Sequence, residues 1–180
     1  AYPLVSKDEA GSALESYTRT VRRMDRNRTD NAKEFAGPEC KWIKVNKDID
    51  AEATTSAQYE APMNGSAEAK VRLIQNSVRT NLHGVDVRLW DFASEYSTHT
   101  WNRLDRGKEP SPFKYAYRRE PKIHYLRRFG CLCYAKVHVM KRDKEHHSKV
   151  LPRYEPGVFL GYNRNSTYKV GLWREDKRSK

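Results

Sequence analysis

The sequence predicts an α/β fold in two parts, a helix-rich front part on a sheet and a small β-rich part behind it. Three observations predict this. Apolar residues recur at helical spacing over 10–21 and again over 67–82, whereas from Phe129 onward they alternate at period two. The charge divides the same way. Residues 1–102 hold 14 Lys/Arg against 15 Asp/Glu, a balance of −1, and residues 103–180 hold 21 against 8, a balance of +13. A basic part beside a near-neutral one points to a polyanionic partner, although Lys/Arg also simply keep a surface soluble.

At the start, Ser6-Lys7-Asp8-Glu9 is a capping box, with Glu three residues after Ser. Ala10, Ala13, Leu14, Tyr17 and Val21 follow at helical spacing and predict a helix over 7–22. The next stretch, Arg23-Met24-Asp25-Arg26-Asn27-Arg28, holds one apolar residue, where a buried strand is rich in Val and Ile. It predicts a short edge strand or a lost element. Trp42-Ile43-Lys44-Val45 predicts a strand with 43 and 45 on its apolar face. Residues 48–62, small and polar, predict a loop with Asp50, Glu52 and Glu60 in solvent.

The segment 66–82 predicts the most informative helix. Ala67, Val71, Ile74, Val78 and Leu82 make one apolar face, and Glu68, Arg72, Gln75 and Arg79 make a polar stripe one position on. One carboxylate followed by two guanidiniums suits a metal ligand beside phosphate-contacting cations; an exposed Glu–Arg pair at i,i+4 is the plainer account. Asp86 is positioned to cap a third helix through about Trp101, with Leu89, Phe92, Ala93 and Tyr96 on its core face. His99 falls at a surface or partly buried place, with no acid or Cys at ligand spacing.

Residues 107–121 contain three prolines and mixed charges and read as a linker. Beyond it, Cys131, Cys133, Ala135, Val137 and Val139 alternate with Leu132, Tyr134, Lys136 and His138, a strand pattern that puts both thiols on one sheet face. Residues 141–149 predict a charged loop with His146-His147 in solvent. Residues 158–162 and 168–173 predict two more strands around a turn at 163–166. Several short strands in so few residues predict a small barrel, whose Tyr, Trp, Lys and Arg suit backbone contacts and base stacking.

Composition excludes several classes. Hydrophobic residues at 37% and aromatics at 11% argue against a disordered chain. No run approaches the ~18 apolar residues of a membrane helix, so no membrane partner is expected, and the first residues lack a basic-then-apolar leader pattern. Three cysteines (Cys40, Cys131 and Cys133) are an odd number without zinc spacing, which predicts reduced thiols in the nucleus or cytoplasm.

Two stretches carry the candidate chemistry, Arg28-Thr29-Asp30-Asn31-Ala32-Lys33-Glu34-Phe35 and Asn64-Gly65-Ser66-Ala67-Glu68-Ala69-Lys70. They place Asp30 at a strand end and Glu68 in the first turn of a helix. Carboxylates converging from separate elements hold hard divalent cations, and paired metals clamp the attacking and leaving oxygens of a phosphoryl transfer. Among 23 acids, however, an ordinary ion pair also meets this spacing. The two stretches resemble the integrase of copia-type retrotransposons, in which they carry the second and third acids of an Asp-Asp-Glu triad. Tyr2-Pro3-Leu4-Val5, Leu89-Trp90-Asp91-Phe92-Ala93, Leu126–Tyr134 and Gly157–Tyr162 are similar to further segments of that family, in the same order.

The resemblance implies a truncated RNase H-like core over 1–105, a linker over 106–120 and a basic SH3-like β-barrel over 121–175. It implies DNA integration by strand transfer, with Asp30 and Glu68 as catalytic ligands of Mg²⁺ or Mn²⁺. It further implies Arg72, Gln75, Arg79 and Lys70 as nucleic-acid contacts, DNA ends and target DNA as partners, and assembly as a homo-oligomer. The family's first catalytic Asp precedes the segment matching Tyr2–Val5, so two of the three ligands are expected in this chain. Ala69 stands where the family usually has Arg. The alternative is a non-catalytic nucleic-acid-binding relic of a retroelement polyprotein. A third reading, a protein-interaction module, would show no DNA binding at physiological salt.

Overall fold

The computed structural model describes residues 6, 9–20, 24–30, 32, 35, 37, 39–55, 65–105, 107, 109–136, 153–163 and 167–172. The fold is mixed α/β, and the chain divides into two compact units, 1–73 and 74–180.

The first unit contains α1 (Ala10–Thr20), β1 (Arg26–Thr29), α2 (Lys41–Asp48), β2 (Glu52–Thr55) and the first half of α3 (Gly65–Asn81). β1 and β2 pair in parallel through the α2 crossover, in the register Arg26↔Glu52 to Thr29↔Thr55. The expected strand at Trp42–Val45 is instead the helix α2. Its burial follows a helical period: Val45 and Asn46 are buried and Trp42 and Ile49 half-buried, while Lys41, Lys44, Lys47 and Asp48 face solvent. Packing on α1 thus overrides the β preference of Ile43 and Val45. The expected loop contains β2, which its small polar residues did not announce because main-chain pairing to β1 holds it. Asp50 and Glu52 are exposed as expected, and Glu60 lies outside the described residues.

The polar stretch before Asp30 does form a strand. Only Asn27 in β1 is buried, and its Nδ2 donates to Asn46 Oδ1 at 2.6 Å, while Asn46 Nδ2 donates to Trp42 O at 2.8 Å. A satisfied amide pair therefore replaces the apolar contact expected between strand and helix. Gly11 brings α1 onto α2, where a Cβ would lie 2.8 Å from Trp42 N.

The second unit begins within α3 and continues through a 3₁₀ turn (Val87–Leu89), α4 (Trp90–Trp101), α5 (Pro112–Tyr117), β3 (Leu132–Lys136), β4 (Tyr154–Tyr162) and β5 (Tyr168–Leu172). Asp86 accepts from Arg88 N at 2.9 Å and caps the 3₁₀ turn leading into α4. Ala93, Phe129 and Leu160 are buried together, with Val78, Leu82, Leu89, Phe92 and Tyr96 packed on them. The predicted core face of α4 is therefore observed. So is the inner half of the α3 stripe, whereas Ala67 and Val71 are exposed.

The range read as a linker holds α5. Ser111 Oγ accepts from Lys114 N at 3.3 Å and Ser111 N donates to Asp105 Oδ1 at 2.8 Å. Pro112 occupies a first-turn position, where its fixed φ favours the helix and its missing N–H costs nothing.

β3, β4 and β5 form an antiparallel sheet with β4 in the centre. It is open, and no closed barrel is found among the described residues. Cys133 and Ala135 are half-buried and Leu132, Tyr134 and Lys136 exposed, as the alternation predicted. A bulge between Phe159 and Gly161 re-aims β4, and consecutive residues Phe159 and Leu160 are both buried. Readings on 137–139, 141–149, 164–166 and Trp173, including His146-His147, lie outside the described residues, as does Tyr2–Val5.

Candidate nucleic-acid interface

Charge separates completely between the units. Residues 1–73 carry 12 Lys/Arg against 12 Asp/Glu, and residues 74–180 carry 23 against 11, so the second unit holds the entire +12.

Within this unit the side chains of α4, the turn at Ile123–Leu126 and the β4–β5 hairpin gather into an aromatic cluster. The His99 ring stacks on Tyr162 with centroids 4.4 Å apart at 21°. Tyr125 meets Tyr162 edge-on at 5.3 Å, and Tyr168 lies 5.8 Å away. His99 Nε2 and the Tyr125 hydroxyl share a hydrogen bond of 3.1 Å whose donor depends on the tautomer. The Arg127 backbone is clamped between two phenols: Tyr96 donates to its carbonyl at 2.8 Å, and its N–H donates to Tyr162 at 2.8 Å.

Beside this cluster lies a cavity of about 490 Å³, lined by His99, Arg103, Lys122, Tyr125, Tyr162, Asn163 and Tyr168. None of these is a carboxylate. Burial, with a smaller push from Arg103, lowers the His99 pKa to about 4, so its ring is neutral near pH 7. Burial raises the Tyr162 phenol and keeps it protonated. The charges on the wall are therefore Arg103 and Lys122, both positive. Arg103 is oriented by donating to His99 O at 3.1 Å and by lying 5.2 Å over the Phe113 ring. A cavity with aromatic walls and two cations suits a flat ring bearing an anionic group.

The residues expected from sequence lie elsewhere. Asp30 directly follows β1 and is exposed, and its Oδ1 accepts from Ala32 N at 3.4 Å. Glu68 stands in the first turn of α3, where residues 66–73 are all exposed. Lys70, Arg72, Gln75 and Arg79 are exposed along the same helix, and Arg79 donates to Asn76 Oδ1 at 2.8 Å. No group of three or more His, Cys, Asp or Glu is placed to hold a metal ion among the described residues. None of the three cysteines forms a disulfide, and no described helix is long and apolar enough to cross a membrane. His99 is half-buried, as its position predicted. Its partnership with Tyr125, Tyr162 and Tyr168 has no sequence period, and the abundance of tyrosine, 11 of 180 residues, was the only signal of the cluster.

No protein-family model and no curated protein sequence matches the chain. Among solved structures, its fold is similar to that of a chain in the cryo-EM structure of the simian T-cell lymphotropic virus intasome in complex with PP2A regulatory subunit B56 gamma. The TM-score is 0.55 at 13% identity, over 96% of this chain and 64% of that one. At this identity the likeness concerns the fold, and this chain spans about 64% of the length of its neighbour.

Proposed function

We propose that this chain is a segment of a copia-type retrotransposon integrase, and that its basic second unit holds nucleic acid. The observation that carries the reading is the fold likeness to a chain of a retroviral intasome complex, which extends over nearly the whole chain. The order of the integrase-like motifs and the concentration of charge in residues 74–180 support it. On this reading 1–105 derives from the RNase H-like core, 106–120 connects, and 121–175 is the SH3-like module. DNA ends and target DNA are the partners, the protein acts in the nucleus or cytoplasm, and copies assemble as a homo-oligomer.

Asp30 and Glu68 would be two carboxylates of the catalytic triad. Both are hard oxygen donors exposed to solvent, which fits Mg²⁺ or Mn²⁺, ions commonly held by one or two carboxylates with water and substrate phosphate as the rest. A bound ion would supply charge stabilisation at the attacking and leaving oxygens of strand transfer. Arg72, Gln75, Arg79 and Lys70 would contact the DNA backbone.

A second reading, a nucleic-acid-binding relic without chemistry, rests on the same concentration of positive charge in residues 74–180.

The test is a strand-transfer assay with Mn²⁺ beside a DNA-binding titration. The expected outcome is salt-dependent binding and no strand transfer by this chain alone. Strand transfer that survives Glu68→Gln would overturn the ligand assignment. Absence of DNA binding at low salt would overturn both readings in favour of a protein-interaction module.

A further inference from the structure

We propose that the cavity between α4 and the β4–β5 hairpin is a binding site for one unpaired nucleotide of a single strand, with its base against Tyr125 and Tyr168 and its phosphate on Arg103 and Lys122. The inference rests on the reading of the second unit as nucleic-acid-binding and specifies its ligand.

Five features carry it. The volume of about 490 Å³ falls in the range of small-ligand clefts. One face of the Tyr162 ring is already covered by His99 at 4.4 Å, so Tyr162 forms the floor, while Tyr168, 48% exposed, presents ring surface to an incoming base. Stacking of this kind tolerates any base, because each has a π face. The lining has two cations and no acid, and among the described residues neither Arg103 nor Lys122 forms an ion pair.

The fourth feature is preorganisation. Arg103 spends one donor on His99 O and rests over Phe113, leaving the rest of its guanidinium fork for an anion in a fixed orientation. The fifth is the floor itself, held by the Tyr162–Arg127 hydrogen bond at 2.8 Å. A base paired within a duplex presents only its edge to such a cavity, so the site selects a base free of its partner.

The experiment uses the full chain and fluorescence anisotropy with a short labelled single strand and the duplex of the same sequence. The single strand should bind more tightly. Tyr168→Ala should weaken it about tenfold while leaving the duplex nearly unchanged. Lys122→Gln, at an exposed position that leaves the fold intact, should weaken it less and flatten its salt dependence. Adenosine monophosphate should displace the strand where inorganic phosphate at the same concentration does not. Duplex binding that persists while neither variant alters single-strand affinity would overturn the nucleotide site and leave the nucleic-acid reading standing. Equal displacement by inorganic phosphate would reduce the cavity to an anion site and overturn the base-binding claim. No binding of either DNA form would overturn both.

Discussion

The imidazole of His99 lies nearly parallel to the phenol of Tyr162, with ring centroids 4.4 Å apart and an interplanar angle of 21°. This contact joins the last turn of α4 to the end of β4, where burial of the imidazole favours its neutral form. The aromatic surface of the second unit is built outward from it.

One consequence is a pH-dependent stability. His99 takes up a proton near pH 6.5 when unfolded and at about 4 when folded. Between these values the unfolded chain binds more protons, so stability falls as pH falls from about 6.5 toward 4. Solvent around the half-buried ring holds the effect to about 1–2 kcal/mol. Urea titrations across this window should show the decline, and His99→Gln should flatten it. An unchanged profile in the variant would contradict the assignment.

The Tyr162 hydroxyl accepts the Arg127 N–H at 2.8 Å, and removing it leaves this exposed backbone donor to water. Tyr162→Phe should cost about 1 kcal/mol, measurable as a lower urea midpoint at constant slope. The ring remains, so the stack on His99 should persist.

Gly130 has φ +74°, and a Cβ there would lie 2.5 Å from Val85 Cγ2. Backbone strain and steric overlap thus act together, just ahead of β3. Gly130→Ala should destabilise the protein by about 1–3 kcal/mol, seen as a lower thermal midpoint.

In the first unit, Asn46 is nearly fully buried and bonds Asn27 at 2.6 Å. Asn46→Ala removes the acceptor and leaves the Asn27 amide without it. A loss of about 1–3 kcal/mol is expected, read by hydrogen exchange at β1 and α2. Replacing both residues with apolar ones should recover part of that loss.

Periodicity made the long helices legible. α3 and α4 declared themselves through apolar spacing, and Cys133 and Ala135 announced β3 by alternation. Short elements did not. At Trp42–Val45 two β-branched residues fit either period, and only packing on α1 decides for the helix. β2 carries two threonines, an alanine and a glutamate and is held by main-chain bonds that leave no side-chain pattern. α5 was hidden by the prolines in and around it, although Ser111-Pro112 is itself a helix-start signal. Asp30 and Glu68 were placed correctly on a strand end and a helix first turn, because local context determines those positions. The cluster of His99, Tyr125, Tyr162 and Tyr168 was not legible, since it joins residues up to 69 positions apart through tertiary packing.

The central claim is that the second unit holds nucleic acid through its excess positive charge. The most direct measurement is the affinity of the full chain for labelled DNA across a salt series. The account predicts tight binding at low salt and a logarithmic slope that reflects several phosphate contacts, roughly −0.9 for each phosphate neutralised on duplex DNA. Binding that is absent at low salt, or that does not change with salt, would contradict it.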